Sequence, residues 1–270
     1  YEEDEKERRI MALVGGAKKV EDILAPLRRA TIRLEGSDAR RTNEDIDALA
    51  NQFVTSGGTN DLKSKFEKEE WMFAISRQES KEAKKVLLNS YVQAYPDDYR
   101  ALNDLGAIAL SEGLTDEGFN YLTKANQAKP NHYAILNNLG VAYKNKKNIV
   151  EARKTYDASL ASMSTPEAIF NLAVIMEKQA QYGEGADKFT SIRNQKGALY
   201  NSGLCKLLMG DLAGAKADAE GAVRAEPNRA LGYYLLAIVG ARSADGNLLE
   251  KKKKKACELD EKLKNKAFTD

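Results

Sequence analysis

The segment Tyr99-Arg-Ala-Leu-Asn-Asp-Leu-Gly106 returns thirty-four residues later as Tyr133-Ala-Ile-Leu-Asn-Asn-Leu-Gly140. Each copy leads, through a second apolar stretch, to a proline-containing break: Pro130 in the first, Ser164 to Pro166 in the second. A fixed period of this length marks stacked supersecondary units, each able to bury its apolar face only against its neighbours.

The frame extends in both directions. In residues 99–132, Leu102, Leu105, Gly106 and Ala109 are followed by Leu122 and Ala125; in 133–165, Leu136, Leu139, Gly140 and Tyr143 are followed by Ala152 and Tyr156. A third unit, 166–195, begins one residue out of phase at Pro166 and carries Ile169, Leu172, Ala173, Met176, Gly185 and Phe189. The fourth, 196–229, holds Leu199, Gly203, Gly210-Asp211-Leu212, Ala215, Ala219, Ala222 and Pro227. Spacing within each half is helical, so each unit reads as a helix pair.

These columns resemble the tetratricopeptide-repeat pattern, whose period is also 34 residues. The resemblance implies an all-α fold, a right-handed α-solenoid of helix hairpins closed by an N-terminal helical cap. Gly106, Gly140, Ala173 and Gly203 are small where the two helices of a hairpin cross, and Ala152 and Ala215 supply the facing small residue.

The flanks follow the pattern less closely. Residues 60–98 read as a degenerate repeat. Its first helix runs from Asn60 to Gln78 with Leu62, Phe66, Trp71 and Phe73, and its second from Ser80 to Tyr95 with Ala83, Leu87 and Tyr91, ended by Pro96. A final unit, 230–268, keeps Tyr233, Leu236, Leu249, Ala256 and Leu259, but Ser243-Ala-Asp-Gly-Asn247 stands where the Gly-Asp turn is expected. Its second helix carries Lys251 to Lys255, the solvated outer face of a terminal cap.

Residues 1–58 do not repeat and read as an N-terminal capping segment before a 59–270 superhelix. Ile10, Leu13, Val14, Val20, Ile23, Leu24 and Leu27 are spaced as on a helix that Pro26 interrupts. Ile46, Leu49 and Phe53 follow an Asn43-Glu-Asp start suited to a helix N-cap, and Gly36-Ser-Asp38 and Ser56-Gly-Gly-Thr59 read as loops. The order of Leu24-Ala-Pro-Leu-Arg-Arg29, Thr42-Asn-Glu-Asp-Ile46 and then repeats also resembles the C-terminal part of large exported bacterial cell-envelope proteins. That resemblance implies a periplasmic or surface location in a bacterium. A chain starting at Tyr1 rather than Met reads as a processed or excised piece of a longer protein.

Composition narrows the chemistry. Forty-two basic against forty acidic residues leave +2, too little to steer the chain toward nucleic acid. No apolar run reaches the length of a membrane span, so no direct membrane insertion is expected. His132 is the one histidine, placed in a loop between repeats, so Ser-His-Asp and Cys-His mechanisms would both rest on it. A two-histidine metal site within the chain is ruled out, and no patterned acidic cluster replaces it. Cys205 and Cys257 lie in amphipathic stretches without CxxC spacing, and Cys205 reads as packed rather than reactive. Gly15-Gly-Ala-Lys-Lys19 and Ser56-Gly-Gly-Thr59 lack phosphate-loop spacing. No enzyme activity, cofactor, metal or small-molecule substrate is predicted.

What a repeat stack offers instead is a concave surface lined by the first helix of each pair. Position 5 of that helix holds Asn103, Asn137, Phe170, Tyr200 and Tyr234; position 9 holds Ala107, Val141, Val174, Leu204 and Ile238. Asn103, Asn137, Phe170, Tyr200, Leu204, Tyr234 and Ile238 are the candidate partner-binding residues, with amides at one end and rings at the other. Such a groove suits a peptide or partner helix; alternatively, Phe170, Tyr200 and Tyr234 complete the core between curved neighbours. Chaperone-binding members of the family use a clamp of Lys and Arg beside Asn. The matching positions here lack those paired bases, so the resemblance does not extend to binding a C-terminal carboxylate. The predicted function is a non-catalytic interaction or assembly scaffold, with a structural spacer between neighbouring domains as the alternative.

Overall fold

One turn is built the same way five times. Gly113, Lys147, Ala180, Gly210 and Ala244 all take left-handed backbone, with φ of 81°, 60°, 59°, 84° and 56°. After each, the next N–H reaches back five residues at 2.9 Å: Leu114 to Ala109, Asn148 to Tyr143, Gln181 to Met176, Asp211 to Lys206 and Asp245 to Gly240. This hydrogen bond and left-handed residue form the Schellman ending of a helix, which turns the chain and satisfies carbonyls the helix leaves open. The side chains of Asn148, Asp211 and Asp245 then cap the following helix by accepting from Glu151, Gly214 and Leu248 N–H. The final unit therefore keeps the turn despite its divergent sequence: Ala244-Asp245 takes the geometry of Gly210-Asp211.

The computed structural model describes residues 41–58 and 66–265. The expected features at Ile10 to Leu27, Gly15 to Lys19, Gly36 to Asp38, Asn60 and Leu62 lie outside the described residues. The chain divides into two compact units, 1–52 and 53–270. Helix α1 (Asn43–Thr55) starts in the first and buries Ile46 and Ala50. Its cap is Thr42, not Asn43: Thr42 Oγ1 accepts from Asp45 N–H, and Asp45 Oδ2 accepts from Thr42 N–H and O–H.

The second unit takes in the end of α1 and continues with α2 (Lys68–Arg77) and α3 (Lys81–Ala94). Among the described residues α2 starts at Lys68, because Glu67 and Glu70 form a reciprocal capping box there, while Phe66 precedes it without helical structure. Phe66 stacks on Trp71 at 4.4 Å, Phe53 meets Trp71 edge-on at 5.2 Å, and Tyr91 follows at 6.4 Å. This aromatic cluster gives the degenerate pair its core.

Five regular pairs follow: α4 (Tyr99–Ser111) with α5 (Thr115–Ala128), α6 (Tyr133–Asn145) with α7 (Ile149–Ser162), α8 (Pro166–Lys178) with α9 (Tyr182–Ser191), α10 (Ala198–Leu208) with α11 (Leu212–Ala225), and α12 (Ala230–Arg242) with α13 (Gly246–Leu259). A short 3-10 helix, Glu261–Asn265, ends the described chain. No strand occurs among the described residues. From α2 onward each helix packs on the next, giving the expected all-α solenoid of hairpins.

The crossings need small residues; Gly203 faces Ala215 as expected, while Gly106 and Gly140 meet other partners. A Cβ on Gly106 would lie 2.5 Å from Leu122 Cγ and 3.2 Å from the Gly118 carbonyl, so Gly118 is the small facing residue of this pair, a position the repeat columns do not pick out. At Gly140 the occupant is the Tyr156 ring: a Cβ there would lie 2.6 Å from Cδ1 and 2.8 Å from Cζ. A Cβ on Gly203 would lie 3.0 Å from Leu235 Cδ2 and 3.2 Å from the Ala215 carbonyl. Glycine here makes room for a large partner side chain as well as for a close backbone.

The outer helix α13 fully buries only Ala256, whereas α12 buries Gly232 and every residue from Leu235 to Gly240. Lys252 lies 5.6 Å over the Tyr233 ring, and Lys251, Lys254 and Lys255 are exposed. Among the described residues α13 packs on α12 and on the short 3-10 helix that follows it.

Candidate functional site

The first helices of successive pairs, α4, α6 and α8, pack side by side, as do α10 and α12; direct packing is weakest between α8 and α10. Along the first group runs a chain of asparagines. Asn138 Nδ2 donates to Asn103 Oδ1 at 2.9 Å, Asn171 Nδ2 donates to Asn137 Oδ1 at 3.0 Å, and Asn137 Nδ2 reaches Asn138 Oδ1 at 3.4 Å. All four are half-buried. The rule is simple: the amide at position 5 accepts from the amide one place further along the next first helix.

Repeat spacing picks out Asn103 and Asn137 but not Asn138 and Asn171. The signal is present in the Asn-Asn pair at 137–138 and in Asn171 beside Phe170. The third unit's phase shift puts Phe170 at position 5, so a column-by-column reading stops there. The amide chain ends at Asn171, where first-helix packing weakens.

Beyond that point the candidate residues are rings and aliphatics. Phe170 meets Phe189 edge-on at 5.2 Å and packs on a core of Ala173, Ala186, Phe189 and Cys205. Tyr200, Leu204 and Tyr234 pack on the core around Leu207, Ala215, Leu235 and Val239, and each remains half-buried. Ile238 is 5% exposed and belongs inside that core, so it supports the surface from beneath and is not itself a contact residue. The reason is that α12 is apolar on every side and Ile238 packs in one core with Leu207 of α10 and Ala215 and Ala219 of α11.

One turn past position 9, Lys144 and Glu177 occupy the same place on α6 and α8, and both are half-buried. Burial, with Lys178 nearby, lowers the Lys144 ammonium below its usual value; burial raises the Glu177 carboxyl, against the pull of Lys178. Neither is conspicuous in the sequence, because Lys and Glu near a helix end ordinarily read as solvated.

The remaining candidate groups have structural settings. His132 precedes α6, its ring 4.8 Å from Tyr133 and 5.2 Å from Tyr99, with Nδ1 buried and, among the described residues, without a hydrogen-bond partner. Cys205 is fully buried against Gly185, and burial pushes its thiol up to about 12. Among the described residues no His, Cys, Asp and Glu side chains gather as a metal site. No helix of the described residues is long and apolar enough to cross a membrane.

Comparison with solved structures agrees with this geometry. The tetratricopeptide-repeat protein YrrB, described as having an unusual peptide-binding site, superposes with a TM-score of 0.53 at 16% identity, covering 65% of this chain and 94% of YrrB. PilW, a type IV pilus biogenesis factor, gives 0.60 at 14% identity over 82% of this chain and 94% of its own. The Cut9–Hcn1 hetero-tetramer of the APC/C gives 0.65 at 14% identity over 94% of this chain and 50% of the other. No protein-family model matches the sequence, and no curated protein matches it. The chain has the tetratricopeptide-repeat fold; identities this low carry the architecture alone.

Proposed function

We propose that the protein is a non-catalytic interaction scaffold that holds an extended peptide or partner helix along its first-helix face. The observation that carries this reading is the half-buried asparagine chain leading to the half-buried rings of Phe170, Tyr200 and Tyr234. Among the described residues Asn103 Nδ2 donates no hydrogen bond and Asn171 Oδ1 accepts none, so both ends of the amide chain can pair with a peptide backbone. The rings offer apolar area at low conformational cost. YrrB, of the same fold, has a peptide-binding site. A periplasmic or cell-surface setting in a bacterium belongs to the same proposal, supported by the order of segments from Leu24 to Ile46 and by the fold shared with a pilus biogenesis factor.

The test is selection of binders from a random peptide library displayed on phage, followed by competition among them. Binders that compete, and that are lost on Asn137→Ala with Tyr234→Ala while circular dichroism is unchanged, support the groove. Failure to enrich any binder, or binders indifferent to both substitutions, refutes it and favours a spacer between neighbouring domains.

A further inference from the structure

A second surface lies at the turns between pairs, where the α9–α10 connection faces the α11–α12 connection across a cleft of about 1150 Å³. Four basic side chains line it, Arg193, Lys196, Arg224 and Arg229, against one acid, Glu226. Glu226 is already committed: Oε1 accepts from Gly197 N–H at 2.9 Å and from Arg229 Nη1 at 3.0 Å. Gly197 takes left-handed backbone, φ 80°, which favours glycine, and a Cβ there would sit 3.0 Å from Arg229 Nη1. Arg229 in turn lies 5.9 Å over the Tyr200 ring. Arg193, Lys196 and Arg224 are exposed, and their side chains make no ion pair or hydrogen bond with any described residue.

Among the described residues, three uncompensated cations thus stand around one cleft, a local positive charge on a chain whose net charge is only +2. We infer that this cleft is a docking site for an acidic polypeptide segment of a partner protein, separate from the first-helix groove. The chemistry selects the occupant. The cleft is larger than one phosphate requires, and the apolar part of its lining, Leu199, Ala222 and Pro227, suits an extended chain. Asn194 and Asn228 at the rim supply amides for a peptide backbone. Single-stranded nucleic acid is held in part by ring platforms for base stacking; no aromatic residue lines the cleft, and the nearby Tyr200 ring lies under Arg229.

The experiment measures fluorescence anisotropy of a labelled peptide of about ten residues, half of them glutamate, at low and near-physiological salt. Arg193→Gln, Lys196→Gln and Arg224→Gln together should weaken binding by about tenfold to a hundredfold, the combined effect of three solvent-exposed charge contacts. Two controls should leave it unchanged: Lys251→Gln with Lys254→Gln and Lys255→Gln, which removes equal charge from α13, and Asn137→Ala, which alters the groove alone. Absence of binding overturns the inference, as does equal weakening by the α13 control. Displacement of the peptide by millimolar inorganic phosphate, or tighter binding of a single-stranded DNA of matched length, overturns the assignment to a polypeptide. Because Asn137→Ala is silent here but disruptive in the groove assay, each proposal fails independently.

Discussion

Gly140→Ala asks whether tertiary packing overrides helix propensity at a repeat crossing. Gly140 lies inside α6, where alanine gains about 1 kcal/mol over glycine from backbone entropy alone. Its Cβ, however, would lie well inside van der Waals contact of the Tyr156 ring, with Cδ1 at 2.6 Å and Cζ at 2.8 Å. Tyr156 is fully buried beside Leu172, Ile175 and Met176, so its ring has no solvent-side escape. Overpacking of that kind costs about 1 to 3 kcal/mol, which cancels or exceeds the propensity gain. The control is Gly183→Ala on α9, where the nearest atom, Met209 Sδ, is at an ordinary 3.8 Å and only the gain remains. Urea unfolding followed by far-UV circular dichroism should therefore place Gly140→Ala below Gly183→Ala by about 1 to 3 kcal/mol. In a Tyr156→Leu background the ring is gone and most of the difference should vanish, a coupling of about 0.5 to 3 kcal/mol. If Gly140→Ala stabilises the protein as much as Gly183→Ala does, the ring does not sit over Gly140 and the register assigned to this pair is wrong.

Other outcomes follow from the same geometry. Ala180→Gly and Lys147→Gly relieve left-handed backbone at non-glycine residues, and each should raise the unfolding midpoint, by about 0.5 to 1 kcal/mol in stability; a loss would mean the turn is not left-handed in solution. Tyr156→Phe removes a buried hydroxyl that bonds to no described residue, and should stabilise by about 1 kcal/mol in thermal unfolding; a loss of that size would reveal a partner for the hydroxyl. Asp98 accepts from the Arg100 guanidinium at 2.7 Å and from Tyr91 O–H at 2.7 Å; chiefly through Arg100, its carboxyl is held down from 3.8 to about 2. A folded-state value below the unfolded one gives stability that is complete above 3.8 and lost as pH falls toward 2. The advantage of the wild type over Asp98→Asn should thus be level near neutrality and shrink between those values; an advantage that grows on acidification contradicts the assignment.

What the sequence determined by itself was whatever recurs at a fixed spacing. The thirty-four-residue return of Tyr99 to Gly106, the small residues at Gly106, Gly140, Ala173 and Gly203, and the prolines at Pro96, Pro130 and Pro227 sufficed for paired helices, because helical periodicity and chain-breaking residues act locally. Tertiary structure decided the rest. Lys147, Ala180 and Ala244 take the left-handed turn although local preference favours glycine, because the packing of the two helices in each pair fixes where the chain must reverse. Asn138 and Asn171 become functional candidates only when residues 34 or 35 apart are brought within hydrogen-bond distance, and Ile238 leaves the surface only once α12 packs into the core with Leu207 of α10 and Ala215 and Ala219 of α11. The basic cleft joins Arg193 and Lys196 to Arg224 and Arg229 across two separate turns. None of these follows from a local pattern, since each depends on distances between helices set by the side chains packed between them.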